Sequence, residues 1–325
     1  MNKELELWRF VADRLTRSES VMLLLVAQSS GSSPGRQGYK MAVGADGELF
    51  GSIGGGVMEV SLVEQSRTIL SEAPAVAGGL SQPVREQIHR KEVPNSSGMI
   101  CSGRQSVIFK LLTPSDTRTI ESIIGGLQNA EQNQLFIAPK QLVLKSGEPG
   151  LPNFKFEILT DDDFAYEEKL GFKNHLYIIG GGHCALALSE LMSKMDFHIS
   201  IFDDRPDLNT IEKNRYAHEI NIIDSYDNIR DEIPSGQNVY VVVMTLGYAF
   251  DKLVIQNLLD KDLKYFGVLG SNAKMKTLMK ELKAEGFPAD RLDRIHTPIG
   301  LPINSRTPEE IAISIAAEII SVKNW

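Results

Sequence analysis

The chain has 325 residues, a formal net charge of −8 and two cysteines, with ordinary apolar and charged fractions. That length fits two domains of usual size. The acidic balance argues against a nucleic-acid partner, and two thiols as far apart as Cys101 and Cys184 argue against a disulfide scaffold. The opening string MNKELELWRF lacks the apolar core of a signal peptide, and no apolar run reaches membrane-spanning length. A cytoplasmic protein without membrane contact is expected.

Leu7, Phe10, Val11 and Leu15 recur at helical spacing and predict a first helix over Glu4–Arg17. Val21–Ala27 is continuously apolar and partly β-branched, which predicts a buried strand. Ser29–Gly38 (SSGSSPGRQG) is a polar loop, readable as an exposed connection or as part of a site. A short strand to Val43, a turn at Ala45-Asp46-Gly47 and a strand over Leu49–Ile53 lead into Gly54-Gly55-Gly56. A helix over Val57–Leu70 follows. Three consecutive glycines are costly to order, so they point to a tight turn or to an anion cradle. Glu59, one turn into the helix, either orients a loop or a ligand, or complements the helix dipole.

Pro74–Asn95 has no clear periodicity. Ser106–Leu112 reads as a strand, Asp116–Asn129 as a helix, and Leu135–Leu144 as a strand pair broken near Pro139. The stretch from Lys145 to Asn174 holds Gly, Pro and the acidic run Asp161-Asp162-Asp163. A boundary is expected there, near residue 165, giving domains over roughly 1–165 and 166–325.

Beyond His175 apolar strands alternate with helices: Leu176–Ile179, Ile199–Phe202, Ile220–Ile223, Val239–Met244 and Tyr265–Leu269, with helices over Cys184–Met195, Phe250–Leu259 and Ala273–Glu285. Strands without polar alternation predict a Rossmann-type parallel sheet with helices on both faces. Thr307-Pro308-Glu309-Glu310 supplies an N-cap, a proline at the first helical position and a capping-box glutamate. Gly180, Gly182 and Ala185 fit G-x-G-x-x-A between a strand and a helix. The first glycine permits the turn, and the second lets backbone N–H groups approach a pyrophosphate. Asp203, about twenty residues on, stands where an acid bonds a ribose hydroxyl. Arg205 meets a 2'-phosphate or pairs with an aspartate. Gly270-Ser271, ahead of Lys274 and Lys276, reads either as a second anion site or as a solvated strand-to-helix turn. Cys101 lies in a small-residue loop, as a soft ligand or a spectator, and Cys184 is expected to pack near its helix start. His183 and His296 are acid–base candidates by residue type only.

Together these strings resemble the XdhC/CoxI family, accessory factors of xanthine dehydrogenase and related molybdenum hydroxylases. The likeness is carried by GSSPGRQGYKM (Gly31 to Met41), DGELFGSIGGGVME (Asp46 to Glu59), CSG (Cys101 to Gly103), IIGGGHCALAL, DDRP (Asp203 to Pro206), GSNAK (Gly270 to Lys274) and the long C-terminal string from Arg294 to Ile320. The resemblance implies an α/β protein with a mixed α/β XdhC/CoxI-type domain ahead of the Rossmann-type domain. It implies a chaperone that binds the molybdenum cofactor (molybdopterin), supports its sulfuration and inserts it into an apo molybdenum hydroxylase. A cysteine desulfurase is a further partner, and a homodimer is the expected assembly. An NAD(P)-dependent oxidoreductase and a nucleotide-sensing module are the alternatives. The chain departs from the family pattern at Val57, where a cysteine is usual, and at Thr245-Leu246-Gly247-Tyr248, where a T-H-D-H-like string is usual. The first departure leaves Cys101 as the N-terminal thiol.

Overall fold

The computed structural model describes residues 3–72, 80–88, 103–129, 131–147 and 151–325. The chain divides into two compact units, Asn2–Gly171 and Phe172–Trp325.

The first unit opens with α1 (Lys3–Thr16), which buries Leu7, Trp8, Val11 and Leu15 on one side. The apolar run then forms β1 (Val21–Gly31). It is the central strand of an antiparallel sheet ordered β3-β2-β1-β5-β4, with β2 (Lys40–Gly44), β3 (Leu49–Gly51), β4 (Val84–Ile88) and β5 (Gly103–Leu112). A central strand covered on both faces is apolar at successive positions, which is why Val21 to Ala27 are all fully buried. Met22, Leu24 and Val26 pack with α2 (Gly56–Ser71) through Leu62 and Leu70. Leu23 and Leu25 face α1, α3 (Thr117–Gln128) and a second antiparallel sheet.

That second sheet, ordered β7-β6-β9-β8, comprises β6 (Asn133–Ala138), β7 (Gln141–Ser146), β8 (Phe154–Thr160) and β9 (Asp163–Leu170). The stretch in which the sequence places the domain boundary is therefore largely a hairpin. Its inward positions on β9 are Phe164, Tyr166, Glu168 and Leu170. The glutamate among them masks the alternation. Glu168 is wholly buried and lies 2.5 Å from Lys40 Nζ, which also bonds Glu4 at 2.8 Å, while the Tyr166 hydroxyl donates to Glu168 at 2.8 Å. Burial opposes the charge on Lys40, but Glu168 and Glu4 outweigh it and hold its pKa above the usual lysine value.

The second unit contains a five-stranded sheet ordered β12-β11-β10-β13-β14, all parallel: β10 (Asn174–Ile179), β11 (Phe197–Asp203), β12 (Glu219–Ile222), β13 (Gly236–Val243) and β14 (Leu263–Val268). One face packs on α4 (His183–Met192) and α10 (Pro308–Asn324), through Leu188, Met192, Ala312, Ile315 and Ile319. The other packs on α7 (Tyr248–Leu258) and α8 (Asn272–Ala284), through Val254, Ile255, Met275 and Leu278. Short helices α5 (Asn209–Glu212), α6 (Ile229–Glu232) and α9 (Ala289–Leu292) fill the connections. α10 starts as its sequence signals: Thr307 Oγ1 accepts from the Glu310 N–H, and Glu310 accepts from the Thr307 N–H. Strand order reverses between β10 and β13, and in open parallel sheets ligands lodge beyond the strand ends at such a point.

Candidate functional site

The turn after β10 sits at that reversal. Gly180 has φ +110°, and a Cβ there would lie 2.3 Å from the Met244 carbonyl oxygen, so the turn is pressed against the exit of β13. Its N–H donates to the Phe202 carbonyl at 2.8 Å. The Gly181 N–H donates to Asp203 at 2.6 Å, and Thr210 Oγ1 donates to the Gly181 carbonyl at 2.6 Å. Gly182 differs from both. A Cβ there would meet nothing within 4 Å, and it is the N-cap of α4 with no side-chain cap. The first N–H groups of an α-helix have no partner within the helix. The space that a Cβ on Gly182 would enter is free beside this end of the helix dipole, an arrangement that suits a phosphate. His183 is exposed at the helix start, and buried Ala185 lets α4 pack on the sheet.

Asp203 ends β11 and has no exposed surface. One oxygen accepts from the Arg205 backbone N–H (2.9 Å) and Nε (2.8 Å); the other accepts from the Gly181 N–H and Arg205 Nη2 (2.8 Å). Burial pushes its pKa up, but these donors and the guanidinium charge hold it below the usual carboxylate value. The acid expected to bond a ribose instead latches the glycine turn, because its own sequence supplies a guanidinium two residues on. Asp204 beside it is half-buried and accepts from the Tyr226 hydroxyl at 3.4 Å.

The next two loops are tied together by a residue to which sequence reading assigns no role. Asp251 is buried; it accepts from Thr245 Oγ1 at 2.6 Å and pairs with Lys274 Nζ at 2.6 Å. Lys274 is thus turned to Asp251. Ser271 uses its hydroxyl to cap α8, accepting from the Lys274 N–H at 3.3 Å. A Cβ on Gly270 would lie 2.5 Å from the terminal methyl of Met275, the flexible end of a side chain. His296 is likewise committed: Nδ1 lies 3.2 Å from Glu318, which also accepts from Tyr265 and from the Gly300 N–H. Burial raises the Cys184 pKa, aided by Glu309, which keeps it a thiol.

In the first unit three glycine-bearing strings meet. A Cβ on Gly35 would lie 2.3 Å from the Ile53 carbonyl oxygen, one on Gly54 2.5 Å from the Gly35 nitrogen, and one on Gly103 2.3 Å from the Ser33 nitrogen. Gln105, 1% exposed, is their hub: it accepts from Ser33 Oγ at 2.7 Å, and its amide reaches Gln87 at 3.2 Å and the Ile53 carbonyl at 3.5 Å. No sequence signal singles it out, beyond being a polar residue at an inward strand position. The loop at Gly54, Gly55 and Gly56 has φ of +128°, +75° and +77°. Its donors converge on Glu59: one oxygen accepts from Ser52 Oγ (2.7 Å), the Ile53 N–H (2.9 Å) and the Gly55 N–H (3.0 Å). The cradle expected for a ligand anion is filled by the chain's own carboxylate. Val57 is 72% exposed. Cys101 lies outside the described residues. Among the described residues no group of three or more His, Cys, Asp or Glu is placed to hold a metal ion.

Known proteins resemble the chain over both units. The model of the XdhC and CoxI family matches residues 15–77, and that of the XdhC Rossmann domain matches residues 176–319. An uncharacterized protein of Escherichia coli (strain K12), YqeB, is 22% identical over 302 residues, 92% of this chain; the chain spans only 43% of that relative's length. A protein of Bacillus subtilis (strain 168) named as a probable xanthine dehydrogenase component is 25% identical over 333 residues, with 95% of each chain covered. A crystal structure from Bacillus halodurans, described as a xanthine dehydrogenase, shares the fold with a TM-score of 0.69 at 24% identity, covering 100% of this chain and 96% of that one. With the family's own domain followed by its Rossmann domain, this chain belongs to the XdhC and CoxI family.

Proposed function

We propose that this protein is an accessory factor of a xanthine dehydrogenase-type molybdenum hydroxylase. In this reading it holds the molybdenum cofactor, supports its sulfuration and hands it to the apoenzyme. The Bacillus subtilis relative supports the association with a xanthine dehydrogenase system through its name. The observation that carries the reading is the open space over Gly182 at the uncapped start of α4. Molybdopterin ends in a phosphate, and backbone N–H groups at a helix start hold a phosphate without any reaction. Gly182, His183 and the first turn of α4 would hold it, while the bound group would supply the molybdenum and sulfur chemistry of the hydroxylase. The apo hydroxylase and a cysteine desulfurase are the partners in this reading, the protein works as a homodimer in the cytoplasm, and Cys101 contacts the soft metal or passes sulfur. No helix among the described residues is long and apolar enough to cross a membrane.

An NAD(P)-dependent oxidoreductase needs a free acid or base beside the nicotinamide. His183 has no orienting partner among the described contacts, and His296, though oriented by Glu318, is not placed beside a nicotinamide by any contact described, so no observation favours that alternative.

Reconstitution tests the reading. An apo molybdenum hydroxylase from the same host is mixed with cofactor, with and without this protein and with its Cys101→Ser variant. Recovered hydroxylase activity should rise several-fold with the protein present. If the protein neither binds the cofactor nor raises activity, the accessory role is wrong. If Cys101→Ser performs like the wild type, the role survives and the thiol has no part in it.

A further inference from the structure

Dinucleotide-binding domains hold the first ribose through an acid at the end of the second strand, and that acid needs a free acceptor site. An ionised carboxylate has about four such sites. In Asp203 four donors occupy them: the Gly181 N–H, the Arg205 N–H, and Arg205 Nε and Nη2. The residue has no exposed surface, whereas the Arg205 side chain is 30% exposed. Arg205 therefore lies between Asp203 and solvent. One turn away the space over Gly182 is open. The phosphate part of the site is accessible and the ribose part is filled.

We infer that Arg205 closes the ribose subsite, so that this domain selects a phosphate-terminated, non-nucleotide ligand over a dinucleotide. The inference rests on the reading that the turn at Gly182 holds a phosphate. It narrows that reading, because molybdopterin without an attached nucleotide belongs to the selected class. A 2'-phosphate does not rescue the dinucleotide. Asp204 Oδ1 lies 3.8 Å from Arg205 Nε, so two carboxylates flank one guanidinium and the local charge is negative.

Isothermal titration of the full-length protein with inorganic pyrophosphate, ADP-ribose and NADP tests this. The wild type should bind ADP-ribose and NADP roughly tenfold or more weakly than pyrophosphate, because the nucleotide part finds its ribose acceptor occupied. Arg205→Ala uncovers Asp203 and should tighten ADP-ribose by roughly tenfold or more, the worth of a hydrogen bond to a charged acceptor. Pyrophosphate affinity should stay within about threefold, and adding Asp203→Asn should remove the gain. Arg205→Met, which keeps the apolar stem, serves if the alanine variant does not fold by circular dichroism. The proposal is overturned if wild-type ADP-ribose binds as tightly as pyrophosphate or more tightly. Asp204→Asn then tells whether the neighbouring acid holds the ribose. An uncovered Asp203 that brings no gain overturns it equally. If no probe binds either protein, the phosphate turn fails and this proposal with it. If pyrophosphate binds with the expected selectivity but reconstitution fails, only the accessory role falls.

Discussion

Lys40→Met isolates the energetics of the first unit. The Lys40 side chain is 7% exposed and Glu168 is not exposed at all, while Glu4, the second partner, keeps 21% of its side chain in solvent. Without the ammonium group, Glu4 reaches water but Glu168 does not. Its carboxylate keeps the Tyr166 hydroxyl and stays buried as an uncompensated charge. Breaking a buried pair from one side costs about 3–5 kcal/mol, a large part of the roughly 5–15 kcal/mol that holds a domain folded. With an m-value of roughly 2 kcal/mol/M, the urea midpoint should fall by about 1.5–2.5 M. The molecule carries its own reporter. Trp8 is fully buried in the core that Tyr166 shares, whereas Trp325 is 98% exposed and changes little on unfolding. Removing both charges, Lys40→Met with Glu168→Leu, should recover more than half of the loss. A single variant that loses under about 1 kcal/mol, or a double variant no better than the single, would refute the claim that an unpaired Glu168 is the costly species.

Gly182→Val should leave the melting temperature nearly unchanged, since its Cβ meets open space, while pyrophosphate binding falls roughly tenfold or more; retained affinity in a folded variant rules out a phosphate there. Gln105→Leu should cost about 1–3 kcal/mol by leaving Ser33 and the Ile53 carbonyl without their partner, read as the urea midpoint by Trp8 fluorescence. Mild acid should weaken the second unit. Burial lowers the pKa of His198 against the pull of Glu219, and burial with the adjacent His198 pushes His218 down to about 4. The two imidazoles stack at 4.8 Å, with Phe172 and His175 packed against them. Because the unfolded chain takes up these protons first, stability is full above the reference value of 6.5 and is lost as pH falls from there toward about 4. Proton NMR titration of the histidine rings checks this, and midpoints near 6.5 for both rings would contradict it.

The sequence displays the parts of this fold whose signals are local. The apolar run of β1, the strand–glycine–helix string at Gly180 and the capping box at Thr307 each state their structure within a few residues. What stays hidden depends on partners from elsewhere. The β8–β9 hairpin is obscured because Glu168 occupies an inward position, tolerable only because Lys40 reaches it from another sheet. Asp203 stands at the ribose position by spacing, yet spacing does not disclose that Arg205 and the Gly181 N–H saturate it. The same holds for Gly54–Gly56: the need for positive φ is visible, but the destination of the freed N–H groups is not. Gln105 gives no signal, because a hub is defined by three loops meeting and each loop alone looks like a connection.

The Glu59 carboxylate makes the N-terminal glycine loop a competitive system. A tethered group acts at an effective concentration set by its linker, in the millimolar range or above for a short one. Glu59 sits four residues from Gly55 and is fixed by a helix, so a free anion has to displace a resident whose local concentration no dilution lowers. By this reckoning an anion reaches the Ile53 and Gly55 N–H groups only by displacing the Glu59 carboxylate from them.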